Sequence, residues 1–439
     1  MDSNSSFTII YNHGLFGIVK DGFRMQYMLI SIANTDCTQA YEIYKTHDVN
    51  ISSRGFAANN ESLVLGSSGF LTAPYGDYWK FMKKLLTTKL LRPHAIEQSR
   101  SIRARELERF YFNILDKAMK MESVEIGKEA MKLTNNMICR MSMGRSCSEE
   151  NGEAERVREL VIKSFSLIKK IFFEYISRNT LEKLGISLYK NEVMGVSHAF
   201  DELLERIMLE HEEKLEEHQD RDMMDILLEA YRDKKAEYKI TRNQIKSFFV
   251  EIFSGGTDTS AQAIQWTMAE MVNNPNILER LREEIDLVVG KTRLIQEMDL
   301  PNLPFLQAVV KEGLRLHPPV PLVVRMFEES CEIKGFHISA KTGLVVNLYD
   351  MMRDPDFWED PDEFKPKSGR RGCPASNLAY IVVQIAIGTM VQCFDWRIKG
   401  GKVNMEETFE GSLAMAHPLK CIPVVRINPS TSKLQSPGS

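Results

Sequence analysis

Phe253-Ser254-Gly255-Gly256-Thr257-Asp258-Thr259-Ser260 lies in the middle of a stretch that otherwise reads as one unusually long helix, from about Arg242 to Asn273. Thr241 stands where an N-cap is wanted, and Pro275 follows the last residue that fits the helical period. Two adjacent glycines in a helix interior cost about 1 kcal/mol each relative to alanine, and the Thr, Asp and Ser side chains compete with the backbone for its hydrogen bonds. A helix does not carry such a segment by default. One reading is a bulge or kink where backbone comes close to a flat ligand and hydroxyl and carboxyl groups face a cavity. The other is a tolerated irregularity in a long helix. The residues alone leave both open.

Towards the C-terminus the pattern gives two further helices, Ile277–Val289 and Leu303–Leu316, the second stopping at His317-Pro318-Pro319. It places Glu312 and Arg315 three residues apart on one helix face, the spacing of an ion pair. Short strands are predicted over Val320–Arg325, Glu332–His337 and Leu344–Leu348. A loop punctuated by Asp and Pro then leads to Ser368-Gly369-Arg370-Arg371-Gly372-Cys373-Pro374, just ahead of an apolar run from Leu378 to Phe394. A cysteine in a Gly- and Arg-rich turn before a helix meets partial positive charge that favours a thiolate. Cys373 is thus a candidate metal ligand, or else one more small buried thiol.

Towards the N-terminus, Phe200–Tyr231 reads as one long exposed helix or two in tandem, preceded by helical patterns over Ala154–Glu174, Val124–Met143 and Ile102–Lys120. Pro74-Tyr75-Gly76 turns the chain into an amphipathic helix that runs to about Leu91 with a basic face. Lys80, Lys83, Lys84, Lys89 and Arg92, followed by Arg100, Arg103 and Arg105, form either a docking patch for an acidic partner or a solvated helix face. A short helix at Thr38–Tyr44 and a strand at Met25–Ile32 complete the reading. The architecture expected is mainly α with a small sheet.

The chain has 439 residues, enough for a sizeable core, and its net charge of -4 leaves no footprint for nucleic acid. Seven cysteines, an odd number without a CxxC pair, fit a reducing compartment. The first residues lack a positive n-region, and no uninterrupted apolar run of membrane-spanning length is read, so neither secretion nor a helical anchor is expected.

In this order and spacing, the glycine pair with Thr257-Asp258-Thr259-Ser260, the Glu312–Arg315 helix and Gly369-Arg370-Arg371-Gly372-Cys373 resemble a cytochrome P450. The likeness covers about Ala40 to Arg426 and is nearest to the plant A-type P450s, in the group that contains thalian-diol desaturase. The resemblance implies a helical prism with a long central helix and a small β-sheet region. It also implies haem b bound through the Cys373 thiolate, with Arg371, Trp79, Lys83 and Arg325 at the propionates. Asp258 and Thr259 would relay protons, Gly255 and Gly256 would give dioxygen room, and Glu312–Arg315 would brace the cysteine loop. The implied activity is hydroxylation or desaturation of a lipophilic plant metabolite, a triterpenoid by the nearest group. Electrons would come from NADPH through a reductase that docks on the basic helix. The substrate would lie against Phe249–Phe253, Val320–Val324 and Ser412-Leu413.

The sequence also departs from the family. Pro366 stands where a phenylalanine is usual, seven residues before the cysteine, and Ala375 replaces a glycine two residues after it. Phe364-Lys365-Pro366-Lys367 begins the family's Pro-Glu-Arg-Phe segment but passes directly to Ser368, so the arginine that completes the Glu312–Arg315 network is absent. A buried pair with an unfilled hydrogen-bond site is therefore expected. Residues 1–35 read as a divergent segment without a membrane anchor, and 36–439 as the P450 domain, shortened near 367–368. The family location is the endoplasmic reticulum membrane; without an anchor, a cytoplasmic or peripheral location is expected. The rival reading is a haem-free or catalytically impaired P450-like protein.

Overall fold

The computed structural model describes residues 30–32, 43–54, 62–64, 66–144, 152–181, 189–214, 222–333, 336–355, 358, 360–364 and 375–429. In chain order these residues give strand β1 (Ile30–Ile32), helix α1 (Asp77–Leu85) with a π turn at Leu86–Leu90, α2 (Pro93–Gln98), α3 (Arg100–Met119), β2 (Val124–Glu125), α4 (Ile126–Met143) and α5 (Glu153–Leu181). They continue with α6 (Lys190–Lys214), α7 (Met223–Arg232), α8 (Arg242–Asn273), α9 (Pro275–Val288), a 3-10 turn (Glu297–Asn302) and α10 (Pro304–Leu316). The remainder is β3 (Leu322–Met326), β4 (Cys331–Ile333), β5 (Phe336–Ile338), β6 (Gly343–Asn347), α11 (Leu348–Met351), α12 (Ser376–Cys393), β7 (Phe394–Arg397), β8 (Glu407–Phe409), β9 (Leu413–Met415) and β10 (Lys420–Val425).

Helix α8 organises the rest. The Thr241 hydroxyl accepts from the Gln244 N–H at 3.2 Å, and the Gln244 side chain accepts from the Thr241 N–H at 2.9 Å, so two end donors are satisfied reciprocally. Of the two readings of Gly255-Gly256, the structure has the tolerated irregularity: α8 is one helix through both glycines. Packing supplies what intrinsic propensity lacks, since α4, α5, α10 and α12 all lie against it. Ile245 to Phe253 join a core cluster with α1, α5, α6 and α7, whereas Ala261 to Met271 join a second one with α3, α4, α9, α10 and α12. Ser254 to Ser260 belong to neither.

Among the described residues, four small sheets flank the helices. β1 pairs parallel with β6, and β3 antiparallel with β6, in register Arg325 to Leu344. β10 lies antiparallel between β2 and β7. The predicted strand at Glu332–His337 is instead the hairpin β4–β5, which pairs Cys331 with Ile338. Val124 and Glu125, read as helix, form β2 because β10 offers them an unpaired edge. The Phe200–Tyr231 pattern is two helices, and the second starts with a capping box between Asp222 and Asp225.

Ser376–Cys393 is long and apolar enough to cross a membrane by composition, contrary to the expectation that no such run exists. Its second half lies buried in the core against α8, α9 and α10, where an all-round apolar helix also belongs.

Candidate active site

The middle of α8 is its most accessible part. Ile245–Val250 and Ala263–Ala269 are buried, while between them Glu251, Ile252, Ser254, Thr259 and Gln262 are part-exposed and Gly255 is exposed. An accessible window inside a helix with buried turns on both sides faces an internal space. Ser247 Oγ, Glu251 Oε2, Asp258 Oδ2 and Gln262 Oε1 are buried atoms with no hydrogen-bond partner among the described residues. At 100° per residue these four positions fall within an arc of about 60°, with Gly255 about 20° beyond it. Buried polar atoms without partners are scarce in native proteins, so their alignment on one stripe marks a place where something else satisfies them.

The two glycines separate by function here. A Cβ on Gly255 would meet nothing within 4 Å, so that residue fronts the space. A Cβ on Gly256 would lie 2.4 Å from Ile138 Cδ1. Gly256, expected beside the ligand, therefore packs on α4, because one residue turns the helix by about 100°. The Thr259 hydroxyl donates to the Gly255 carbonyl at 2.5 Å. Burial holds the Asp258 carboxyl above its usual range, while the Ser412 hydroxyl and the Gln262 amide beside it act in the other direction. A carboxyl so placed keeps its proton at higher pH than an exposed one.

Three of the expected propionate residues carry donors without an acid. Lys83 Nζ sits 4.6 Å over the Trp79 ring, which itself stacks on Phe70 at 5.8 Å. Arg325, on β3, donates to the Val324 carbonyl at 3.1 Å and lies near Tyr44. None of the three has a carboxylate partner among the described residues, as an anionic ligand requires. Arg371 and Cys373 lie outside the described residues.

The Glu312–Arg315 pair is buried and bidentate, with both contacts at 2.9 Å. The expected unfilled site on it is not there. Arg315 Nη1 donates to the carbonyls of Met352 at 2.8 Å and Pro361 at 2.7 Å, and Nη2 donates to that of Glu363 at 3.1 Å. All five guanidinium N–H groups are thus used, and the plane lies 4.7 Å from the Trp358 ring centre. Backbone carbonyls fill the place that a second arginine was expected to serve. Phe364 is buried in the same core cluster as α12, so both ends of the segment that carries Cys373 are anchored.

Of the expected substrate contacts, Phe249, Val250 and Phe253 point into a core cluster, and only Glu251 and Ile252 of that stretch reach the window. Val320 is exposed, and Leu322 to Val324 are half-buried. Ser412 and Leu413 are buried against α8; Ser412 faces Asp258, and the Leu413 carbonyl accepts from Trp266 Nε1 at 3.0 Å.

The basic face needs one correction. Arg103 is fully buried and pairs with Glu297 at 2.6 and 2.7 Å, so it braces the core instead of a docking patch. Arg100 pairs with Glu97 and Lys84 with Glu237 at the surface, leaving Lys80, Lys83, Lys89, Arg92 and Arg105 exposed.

Glu251 escaped the sequence reading. Its Oε1 accepts from the Leu71 N–H at 2.8 Å, the Phe70 N–H also faces the carboxyl, and burial pushes that carboxyl up to about 8. The signal was a lone acid inside the apolar run Phe248-Phe249-Val250-Glu251-Ile252-Phe253.

Residues 19–367 match the cytochrome P450 family, a span that starts ahead of the boundary read near residue 35 and ends before Cys373. Cytochrome P450 705A20 of Arabidopsis thaliana is 64% identical over 434 residues, covering 95% of this chain and 84% of the relative. Cytochrome P450 705A12 of the same plant is 61% identical over 433 residues, covering 93% of this chain and 84% of that relative. The 3,9-dihydroxypterocarpan 6A-monooxygenase of Glycine max is 38% identical over 429 residues, covering 89% and 83%. A zebra fish cytochrome P450 structure with progesterone has a TM-score of 0.78 at 19% identity, covering 92% of this chain and 95% of that one.

Proposed function

This chain belongs to the cytochrome P450 family, and from that premise we propose that it hydroxylates or desaturates a lipophilic plant metabolite of the triterpenoid class. The observation that carries the reading is the accessible window of α8, with Gly255 open, the Thr259 hydroxyl bonded to its carbonyl, and Asp258 on the adjoining stripe of unpartnered polar atoms. The family uses a thiolate-ligated haem and electrons from a redox partner. The described residues fit that group: an open glycine on an otherwise buried helix, orphaned polar atoms on the same stripe, and three donor side chains without acids.

Cys373 would hold the iron, with Trp79, Lys83, Arg325 and Arg371 at the carboxylates of the group. When bound, the haem supplies the activation of dioxygen. The chain's own contribution is proton handling. Asp258, buried and raised above its ordinary range, keeps its proton to higher pH than an exposed carboxyl does. Thr259 directs its hydroxyl hydrogen to the Gly255 carbonyl, which leaves its oxygen free to accept. Gln262, one turn on, fixes the Asp258 carboxyl through its amide at 3.4 Å.

The exposed basic residues Lys80, Lys89 and Arg92 are the proposed docking face for an NADPH-dependent reductase, and peripheral contact with the endoplasmic reticulum is the proposed location. The test is the carbon monoxide difference spectrum of the reduced recombinant protein: a thiolate-type band at full haem content is expected. Its absence would establish the second reading, a P450-like chain that does not load haem. The end of the family match at residue 367, short of Cys373, favours that rival.

A further inference from the structure

Helix α10 stops at His317-Pro318-Pro319, where the prolines cannot continue it. His317, its C-cap, is buried and lies flat on the Trp266 ring, with ring centres 4.1 Å and planes 4° apart. Each ring nitrogen meets a glutamate: Nε2 lies 2.7 Å from Glu270 Oε1 on α8, and Nδ1 lies 3.1 Å from Glu407 Oε1 on β8. A neutral imidazole donates from one nitrogen and accepts at the other, whereas a carboxylate only accepts. Both contacts are therefore hydrogen bonds when each nitrogen carries a proton, that is, when the ring is an imidazolium. The C-terminus of α10 and the face of the indole both favour a cation at this place. The other charged or titratable groups around the clamp are Arg353, 3.8 Å from Glu407, and Tyr349, whose hydroxyl bonds to the same carboxylate.

The clamp reaches Asp258 through the β8–β9 hairpin. Glu407 pairs with Met415 and Phe409 with Leu413, and the turn between them carries Ser412, whose side chain bonds to the Asp258 carboxyl. The hairpin is tied down by three groups that meet at His317: Glu407 itself, the Pro319 carbonyl, which accepts from the Leu413 N–H at 3.0 Å, and Trp266 Nε1, which donates to the Leu413 carbonyl at 3.0 Å. We infer that His317 is a positioning residue: as an imidazolium it clamps the β8–β9 hairpin to α8 and so keeps Ser412 against Asp258. This deepens the monooxygenase reading, on which it rests only for the task of Asp258. When the ring loses its second proton, one nitrogen turns a lone pair towards a carboxylate, that bond is lost, and the hairpin loosens.

The test is amide hydrogen exchange of the full chain, read by mass spectrometry on the peptide that spans β8 and β9 and expressed as protection relative to the intrinsic rate at each pH. Glu407→Gln is the decisive variant. Its side-chain N–H donates to Nδ1 while Nε2–H still donates to Glu270, so a neutral ring satisfies both sides. In the wild type, protection of the hairpin is expected to fall about tenfold from mildly acid to mildly alkaline pH, the worth of one hydrogen bond to a charged group. In Glu407→Gln it stays level. The two proteins share their other titrating groups, so the difference isolates this one. His317→Phe keeps the stacking on Trp266 and removes both bonds, and its hairpin is expected to be poorly protected at every pH. Parallel pH profiles for the wild type and Glu407→Gln would show that His317 only packs, and would overturn the inference. So would a His317→Phe hairpin as well protected as that of the wild type at acid pH. If the Phe variant does not fold, the comparison with the isosteric Glu407→Gln decides alone. Haem content, measured separately on the same samples, reports on the monooxygenase reading, so each can fail without the other.

Discussion

Removing Arg315 strips a buried carboxylate of its counter-ion and three backbone carbonyls of their donor in one step. Loss of one partner from a buried ion pair costs about 3–5 kcal/mol. The carbonyls of Met352, Pro361 and Glu363 are only part-buried, so water recovers most of their bonding, and they add about 1 kcal/mol together. Arg315→Met is therefore expected to cost about 4–6 kcal/mol, a large part of the roughly 5–15 kcal/mol that holds a typical domain together. The companion variant Glu312→Leu leaves a buried guanidinium, which keeps its carbonyl partners and loses somewhat less. Combining the two removes both buried charges, and the double variant is expected to be about 2–3 kcal/mol more stable than the sum of the single losses predicts. Urea unfolding followed by circular dichroism measures all four corners of the cycle. Additivity within about 0.5 kcal/mol would refute the reasoning, because it would mean that the two side chains do not interact across their 2.9 Å contacts.

Glycine replacement should separate the two faces of α8: Gly255→Ala gains about 0.5–1 kcal/mol from helix propensity, whereas Gly256→Ala loses stability against Ile138, both read from thermal melts. The pH dependence of Glu251 follows from its raised value of about 8. The folded state binds a proton that the unfolded carboxyl releases above its ordinary range, so the wild type loses stability as pH rises to about 8, by up to about 1.4 kcal/mol per pH unit, while Glu251→Gln lacks this slope in denaturant titrations. Arg103→Ala, which leaves Glu297 unpaired at a buried site, should destabilise the chain by about 3 kcal/mol or more in the same titrations. Lys80→Ala with Lys89→Ala should leave the melting temperature unchanged and slow electron delivery from a reductase at low salt, a difference that fades as salt is raised.

Local rules account for what could be read in advance. The bounds of α8 were legible because a Thr–Gln capping box and a proline act within a few residues of each end. The Glu312–Arg315 contact was legible for the same reason, since three residues along a helix bring two side chains together whatever surrounds them. The strands β7 to β10 were not read: β10 meets β2 and β7 far off in sequence, and β8 and β9, neighbours joined by a turn, are only three residues each. Propensity could not decide the glycine pair, since it prices a helix alone and not one wedged among four others.

By itself, the sequence determined the family, the order of the helices and the residue types at the site, because these rest on spacing along the chain. Only the tertiary structure decided that Gly255 faces open space while Gly256 meets Ile138, that carbonyls from residues 352, 361 and 363 complete the shell of Arg315, and that Arg103 lies inside. It alone showed that Glu251 closes a loop over the central helix. Each of these depends on groups far apart in sequence, and burial, the quantity that sets their energies, exists only once the distant parts have packed.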